Sequence, residues 1–497
     1  MRNIQFSALL LGMLALSSCI HDESTEAHLT LPTLALDATN SEAMPIKNFN
    51  LGEHAIITPD VQYSGSDSLT YTWSVGTYKD GVKGKMEPVS HERTLNHQFL
   101  TGGSYYAHLT VSDGRVGAVR DYQINVNRTF EEGYLLVSND ATGRGNLAFV
   151  KVMTPEEQAA GTPQITMEHI VERMNPSVTT QQLRGVVHGV ITFPRTIHRI
   201  LASTPTHCYF FDPNTFTITS SIEYDDVFAG FQGSGFYADT YYPFAHDQQS
   251  GKFVHLNQEF MFGYEYGFYK GLTFDDCFQT SYSAWGGLNY VNHFVDYATS
   301  EVKKMNLSTG EFTSTGTRLA GQDIISVFLS PVQNSSRHDL VLAASQTDPT
   351  KWQLYDFDGI EYLTATTTAK TQTIPVTAQT ATPTRGTRFV FSERNNRYFY
   401  AIGHQIFVFL PASATPLPNK ANWAVSFAAG EEITYMTVNA ETDELYVATQ
   451  TTATGRGNFY IFDCADIKTD SQGNIRPKAT HTNVADRITQ ILYKPRL

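Results

Sequence analysis

Charge is scarce in this chain. Asp, Glu, Lys and Arg together supply 17% of its 497 residues, below the usual quarter. What charge there is leans acidic, with 49 Asp and Glu against 35 Lys and Arg and a net charge of −14. A nucleic-acid binder needs a basic face to displace counterions, so this balance argues against that class. Cysteine is scarce too, with four in all. Cys208, Cys277 and Cys464 lie far apart, and neither a Cys-x-x-Cys nor a Cys/His cluster with zinc spacing occurs. A disulfide framework is not expected. One bridge plus a free thiol stays open, and burial as small apolar residues is the simplest role for each. Apart from the first residues, no apolar run approaches the ~20 needed to span a bilayer. Gly-x-Ser-x-Gly, His-Glu-x-x-His and phosphate-loop signatures are missing.

What is present is a core-forming, strand-rich composition. Hydrophobic residues reach 41%, enough for a sizeable core. Aromatics reach 12%, with 31 Phe and 26 Tyr beside 35 Gly. That mix leans to an all-β class.

The N-terminus reads as an address. Arg2 precedes a short apolar stretch, Ala8 to Leu16, and then Ser17-Ser18-Cys19. A small-residue run ending in Cys after a short apolar core resembles a bacterial lipobox. The resemblance implies a signal peptide over 1–18, cleavage before Cys19, and a lipid anchor on Cys19. Residues 19–28, polar and acidic in Ile20 to Ala27, read as a tether.

Two bodies follow. Over 29–128 the pattern is short alternating strands. Leu69 to Val75 alternates with period two, as do Tyr105 to Val111 and Val119 to Val126, with Ser112-Asp113-Gly114 as a hairpin signal. This fits an immunoglobulin-like β-sandwich with Trp73 in its core. Gly103 to Gly114 resembles the late strands of a PKD domain, although Tyr71-Thr72-Trp73-Ser74-Val75 stands where the usual Trp-Asp-Phe-Gly-Asp-Gly would be.

Over 129–497 the chain repeats itself. Hydrophobic strands lead through turns into aromatic strands ending in Asp, as in Cys208 to Asp212, Trp352 to Asp356 and Phe459 to Asp463. Ala141-Thr142-Gly143-Arg144-Gly145-Asn146 returns unchanged as Ala453 to Asn458. Six steps of about 52 residues separate the copies, and repeats of that length with several strands each argue for a β-propeller. Seven blades fit best; six and eight stay open. Ring closure would bring the two matching hairpins side by side, with Arg144 and Arg456 on one face as candidate ligand-binding residues, or as parts of a reused structural hairpin.

At this point the whole chain resembles the PKD-like family lipoproteins of Bacteroidetes. A lipobox and one PKD-like domain lead into Phe130-Glu131-Glu132-Gly133-Tyr134-Leu135-Leu136-Val137-Ser138 at the head of a long β-rich region. The resemblance implies an outer-membrane, cell-surface location. It also implies an accessory role beside a SusC/SusD-type importer of glycans or peptides, with no catalytic residues to carry over.

Within the second body, Phe228 to Phe294 holds 20 aromatics and nine Gly in 67 residues. Rings on alternate faces cannot all reach one core, and Tyr and Trp suit sugar rings and peptide side chains. Tyr241, Tyr242, Tyr264, Tyr266 and Trp285 are therefore candidate ligand-binding residues, against the simpler reading that these rings pack between blades. Asp225-Asp226 and Asp275-Asp276 are paired acids of the type that binds calcium or transfers protons. His246 and His255 lack an evident third ligand, so no metal or cofactor is expected. The functional expectation is a non-catalytic nutrient-binding surface lipoprotein, bound to the membrane through its lipid. The alternatives are a propeller-based glycan-degrading enzyme and a scaffold for other surface lipoproteins.

Overall fold

The computed structural model describes residues 31–191, 197–237, 243–257, 262–265, 274–284, 287–305, 312–314, 319–333, 336–357, 369–470 and 473–497. Cys19, the anchor residue expected above, lies outside them. The chain divides into two compact units. One comprises 1–49, 54–98 and 103–125; the other comprises 50–53, 99–102 and 126–497.

The first unit is all β. Its main sheet joins Ile46–Asn50, Gly117–Asn127, Gly103–Ser112, Thr70–Lys79 and Val82–Lys83 in that order, with Glu87–Ser90 added on Thr70–Lys79. Strands His54–Ile57 and Leu95–Gln98 pair separately, as do Leu34–Leu36 and Val61–Tyr63. The alternation seen in Leu69 to Val75 has a direct cause, since Trp73 and Val75 point inward and are buried. The Trp73 ring lies 5.7 Å from Tyr122, and its indole N–H donates to the Glu92 carbonyl at 3.1 Å. A buried Trp is thereby left with its one donor satisfied. The hairpin at Ser112-Asp113-Gly114 forms through the Asp113 carboxylate, which accepts the N–H groups of Arg115 and Val116 at 2.8 Å each. Gly114 there takes φ 89°.

The second unit contains, among the described residues, seven four-stranded antiparallel sheets. Six are consecutive in sequence, their leading strands being Gly185–Ile191, Gly235–Tyr237, Asp276–Ala284, Gln322–Gln333, Val390–Ser392 and Glu431–Asn439. The seventh joins both ends of the unit. The C-terminal strand Arg487–Lys494 pairs with Gly133–Asn139, which pairs with Gly145–Lys151 and then Thr166–Met167. The leading strands begin at unequal intervals, which is why a strict 52-residue period is visible only between the first and last hairpins.

Each sheet is buried against its neighbours. Gly145–Lys151 is buried along its whole length and Gly457–Asp463 along all but its last residue. Strands covered on both faces need continuous rather than alternating apolar sequence, as in Leu147-Ala148-Phe149-Val150. The Asp residues that close several strands cap turns. Asp212 accepts the N–H groups of Asn214 and Thr215, and Asp463 that of Ala465. All three described cysteines are buried and free, so the bridge left open in the sequence is not formed among Cys208, Cys277 and Cys464.

Candidate functional site

The described phenylalanine side chains of the aromatic-rich segment belong to the core. Phe244, Phe253, Phe274 and Phe294 are buried together, with the Phe274 and Phe294 ring centres 4.8 Å apart. Phe228, Phe231 and Phe236 are buried in a neighbouring cluster. His246 lies inside this packing, stacked 4.3 Å from Phe274. Of the candidate ligand-binding rings, Tyr241, Tyr242, Tyr266 and Trp285 lie outside the described residues. Tyr264 is on strand Phe262–Glu265, in register with His255, and its side chain is likewise outside the description.

Arg144 and Arg456 sit on matching hairpins, as the repeat suggests, but both guanidinium groups are held by carboxylates of the fold. Arg144 pairs with Glu172. Arg456 pairs with Glu168 at 2.6 Å and Asp486 at 3.0 Å. Both arginines therefore have carboxylate partners within the fold. The paired acids are also engaged with backbone. Asp225 accepts the N–H of Gly230 at 2.6 Å, and Asp275 that of Tyr297 at 2.8 Å. Among the described residues no group of three His, Cys, Asp or Glu is arranged to hold a metal.

Chemistry gathers elsewhere, in a cavity of about 390 Å³ lined by four leading strands and the loop before one of them. Its polar lining includes Asp276, Ser326, Ser330, Arg388, Glu393 and Tyr435. Asp276 opens its strand, and Arg388 sits two residues before Val390–Ser392, so each charge is carried at a strand entrance. Glu393 follows that same strand at its other end. Phe328 and Phe389 supply apolar wall, stacked at 4.5 Å and 16°.

The loop carrying Arg388 is fixed from below. Ser326 donates its hydroxyl to the Thr387 carbonyl at 2.8 Å, and the Gly386 N–H donates to Ile325 at 2.9 Å. Gly386 takes φ 77°, a conformation that costs glycine little. The Arg388 guanidinium then lies over the Tyr435 ring, 5.9 Å from its centre. Further along the strand of Ser326, Ser330 accepts the His338 backbone N–H at 2.8 Å, and the His338 ring meets Asp356 at 2.7 Å.

Two phenols, the half-buried Tyr237 and the buried Tyr297, feel charges that also line the cavity. Tyr237 and Tyr297 are both pushed above the usual tyrosine range, first by burial. The carboxylates of Asp276 and Asp275 raise both further, and Arg388 pulls both down. The arrangement can hydrogen-bond, pair charge and stack against a ligand.

Sequence reasoning singled out Asp276 only as half of an acidic pair, and missed Arg388, Glu393, Tyr435, Ser326 and Ser330. The one available signal was position, since Asp276 and Arg388 stand at the entry to hydrophobic strands that lead their sheets.

No protein-family model matches the chain, and no curated protein matches it. Solved structures do. A quinonprotein alcohol dehydrogenase-like protein from Bacteroides thetaiotaomicron VPI-5482 is similar over 93% of this chain and 99% of its own, at 15% identity and a TM-score of 0.50. That likeness, with the sheets described above, shows an all-β, propeller-type fold. Apo AztD from Citrobacter koseri matches 74% of this chain and 100% of its own, at 7% identity and a TM-score of 0.35. A Synechocystis apocarotenoid oxygenase variant matches 90% and 97%, at 10% identity and a TM-score of 0.28. These two carry no argument about this chain.

Proposed function

We propose that this protein is a lipid-anchored surface protein of the outer membrane that binds a nutrient without chemically changing it. In this reading the seven sheets are the blades of a ring closed by Arg487–Lys494, and the PKD-like, immunoglobulin-like unit is a spacer. The anchor is Cys19, and the protein serves a SusC/SusD-type importer of glycans or peptides.

The observation that carries the binding role is the cavity itself. Its volume falls within the ~300–1,000 Å³ of ordinary ligand sites. Its lining combines an aromatic face, Tyr435, with a guanidinium, two carboxylates and hydroxyls. Few polar groups on a mostly preformed frame is how small ligands are oriented, and the hydrogen bonds from Ser326 and Gly386 fix the loop that presents Arg388.

The test has two parts. The full-length protein, tagged at its C-terminus and gently solubilised from its host, is expected to co-purify with a SusC/SusD-type pair; recovery alone would remove the importer role. Calorimetric titration with defined oligosaccharides and peptides is expected to yield a ligand whose affinity drops at least tenfold in Tyr435→Ala. Unchanged affinity in that variant would move the site away from this cavity.

A further inference from the structure

The lining of the cavity limits what can fill it. Part of the wall is apolar, with Val327, Leu329, Val390, Phe391 and Val438 all half-buried along it. A ligand laid against these side chains removes apolar surface from water. An entirely apolar ligand would also cover Asp276, Thr387, Arg388, Glu393 and Thr437, which line the same space. Polar groups that lose water without gaining a hydrogen bond cost free energy, so such a ligand is disfavoured.

An ion is disfavoured for a different reason. The charged groups of the lining are already engaged. Asp276 accepts the Cys277 N–H at 2.9 Å, and the Arg388 guanidinium lies over the Tyr435 ring. Asp276, Arg388 and Glu393 each have further partners within the protein. An incoming ion of either sign competes with those partners for its countercharge, and it meets its own sign elsewhere in the lining.

A neutral hydroxyl need not displace them. A carboxylate has about four acceptor sites and a guanidinium five N–H donors, so an engaged group can still take one hydrogen bond more. A hydroxyl both donates and accepts. It therefore suits the acceptors Asp276 and Glu393, the donor Arg388, and the hydroxyls of Thr387 and Thr437 alike. An amide is less adaptable, because its donor and its acceptor are fixed on different atoms.

We infer that the cavity takes a neutral saccharide, with its C–H faces against the aliphatic wall and its hydroxyls on the polar groups. The inference rests on the cavity being the binding site proposed above and names the ligand class for it.

The test titrates the full-length protein, in a detergent without a sugar headgroup, with probes that differ in charge. Maltotriose and N-acetylchitotriose are neutral, the glucosamine trimer is cationic, trigalacturonate is anionic and trialanine is a zwitterion. One of the two neutral saccharides is expected to bind, and each charged probe to bind at least tenfold more weakly. The neutral affinity should hold within about twofold between about 0.05 and 0.5 M sodium chloride, a range over which screening weakens ion binding. It should fall at least tenfold in Tyr435→Ala and in Thr437→Trp, with thermal melting showing that each variant folds. A charged probe that binds best, and is lost in Thr437→Trp, would overturn the saccharide assignment and leave the cavity as the site. Silence of both neutral saccharides would overturn the assignment as well. Saccharide binding that is unchanged in both folded variants would overturn the cavity and the assignment together.

Discussion

The side-chain oxygen of Asn458 accepts the backbone N–H of Asn483 at 2.9 Å, and Asn483 stands in the left-handed region at φ 56°. The same device recurs 312 residues earlier. Asn146 accepts the N–H of His169 at 2.7 Å, and His169 has φ 57°. Three residues beyond each left-handed residue is an acid that takes the arginine of the repeat: Asp486 for Arg456 and Glu172 for Arg144. The repeated Ala-Thr-Gly-Arg-Gly-Asn is thus a staple. Its Asn holds a strained backbone turn in the next segment, and its Arg holds the acid that follows.

Breaking the staple should destabilise the protein without touching the cavity. Asn458 also donates to Glu431 at 3.0 Å, which accepts Tyr460 at 2.7 Å. Asn458→Ala removes the acceptor of the Asn483 N–H and one donor to Glu431, and each lost hydrogen bond costs about 0.5–1.5 kcal/mol. Gly457→Ala should be worse tolerated than most Gly→Ala changes, because a Cβ there would meet the Asp486 carbonyl at 2.4 Å. Both variants are expected to melt several degrees below the wild type while ligand affinity is kept.

Stability should fall on the acid side through His188. Burial, then the nearby His198 and Lys494, hold its pKa down to about 4. A base whose folded pKa is depressed contributes stability that is whole above its unfolded pKa, ~6.5, and is lost as pH falls toward the folded value. Urea midpoints are expected to drop between pH 6.5 and 4, by on the order of 2–3 kcal/mol from this group. His188→Gln should remove that share of the drop. A wild type and variant with parallel pH curves would contradict the assignment.

Lys494 gives a second, separable signal. It is fully buried and donates to the Glu131 carbonyl at 2.8 Å. Burial pushes its pKa down to about 8 against the pull of Glu131, Asp212 and Glu132. Below pH 8 it is charged both folded and unfolded, and the cost of burying that charge is constant. Stability should therefore rise between pH 8 and ~10.4 as the folded state alone sheds the proton. Lys494→Met is expected to flatten that rise.

The thiols should be silent until the chain unfolds. Cys208 and Cys464 are buried and their thiols are pushed up by burial, Cys464 to about 12. A thiol kept protonated and out of water does not attack disulfide reagents. Native protein is expected to leave Cys208 and Cys464 unmodified at pH 8, and denatured protein to expose both, with no change in mass on adding reductant beforehand.

Much of the architecture was legible because strands and turns are local. The alternation around Trp73, the Ser112-Asp113-Gly114 hairpin and the Asp-terminated strands each follow from residues near one another. The exact repeat pointed to matching hairpins at the two ends of the second unit, and Gly133–Asn139 is indeed joined to Arg487–Lys494. Its meaning was harder to read, because the partners of Arg144 and Arg456 lie 28 to 288 residues away. The cavity was illegible for the same reason. Asp276, Ser326 and Tyr435 come from three different sheets and Arg388 from the loop before a fourth, and no stretch of sequence brings any two of them together. The aromatic-rich segment drew attention through composition, yet its described phenylalanines are where packing needs them.

The most direct measurement fills the cavity. Thr437 lines it from strand Glu431–Asn439, and Thr437→Trp places an indole in that space. Wild-type and variant proteins, both full length, are titrated with trialanine and maltotriose, and their melting curves are compared. The account predicts that the wild type binds one of these probes and that the variant, melting within a few degrees of it, binds neither. A folded variant that binds as tightly as the wild type would contradict it.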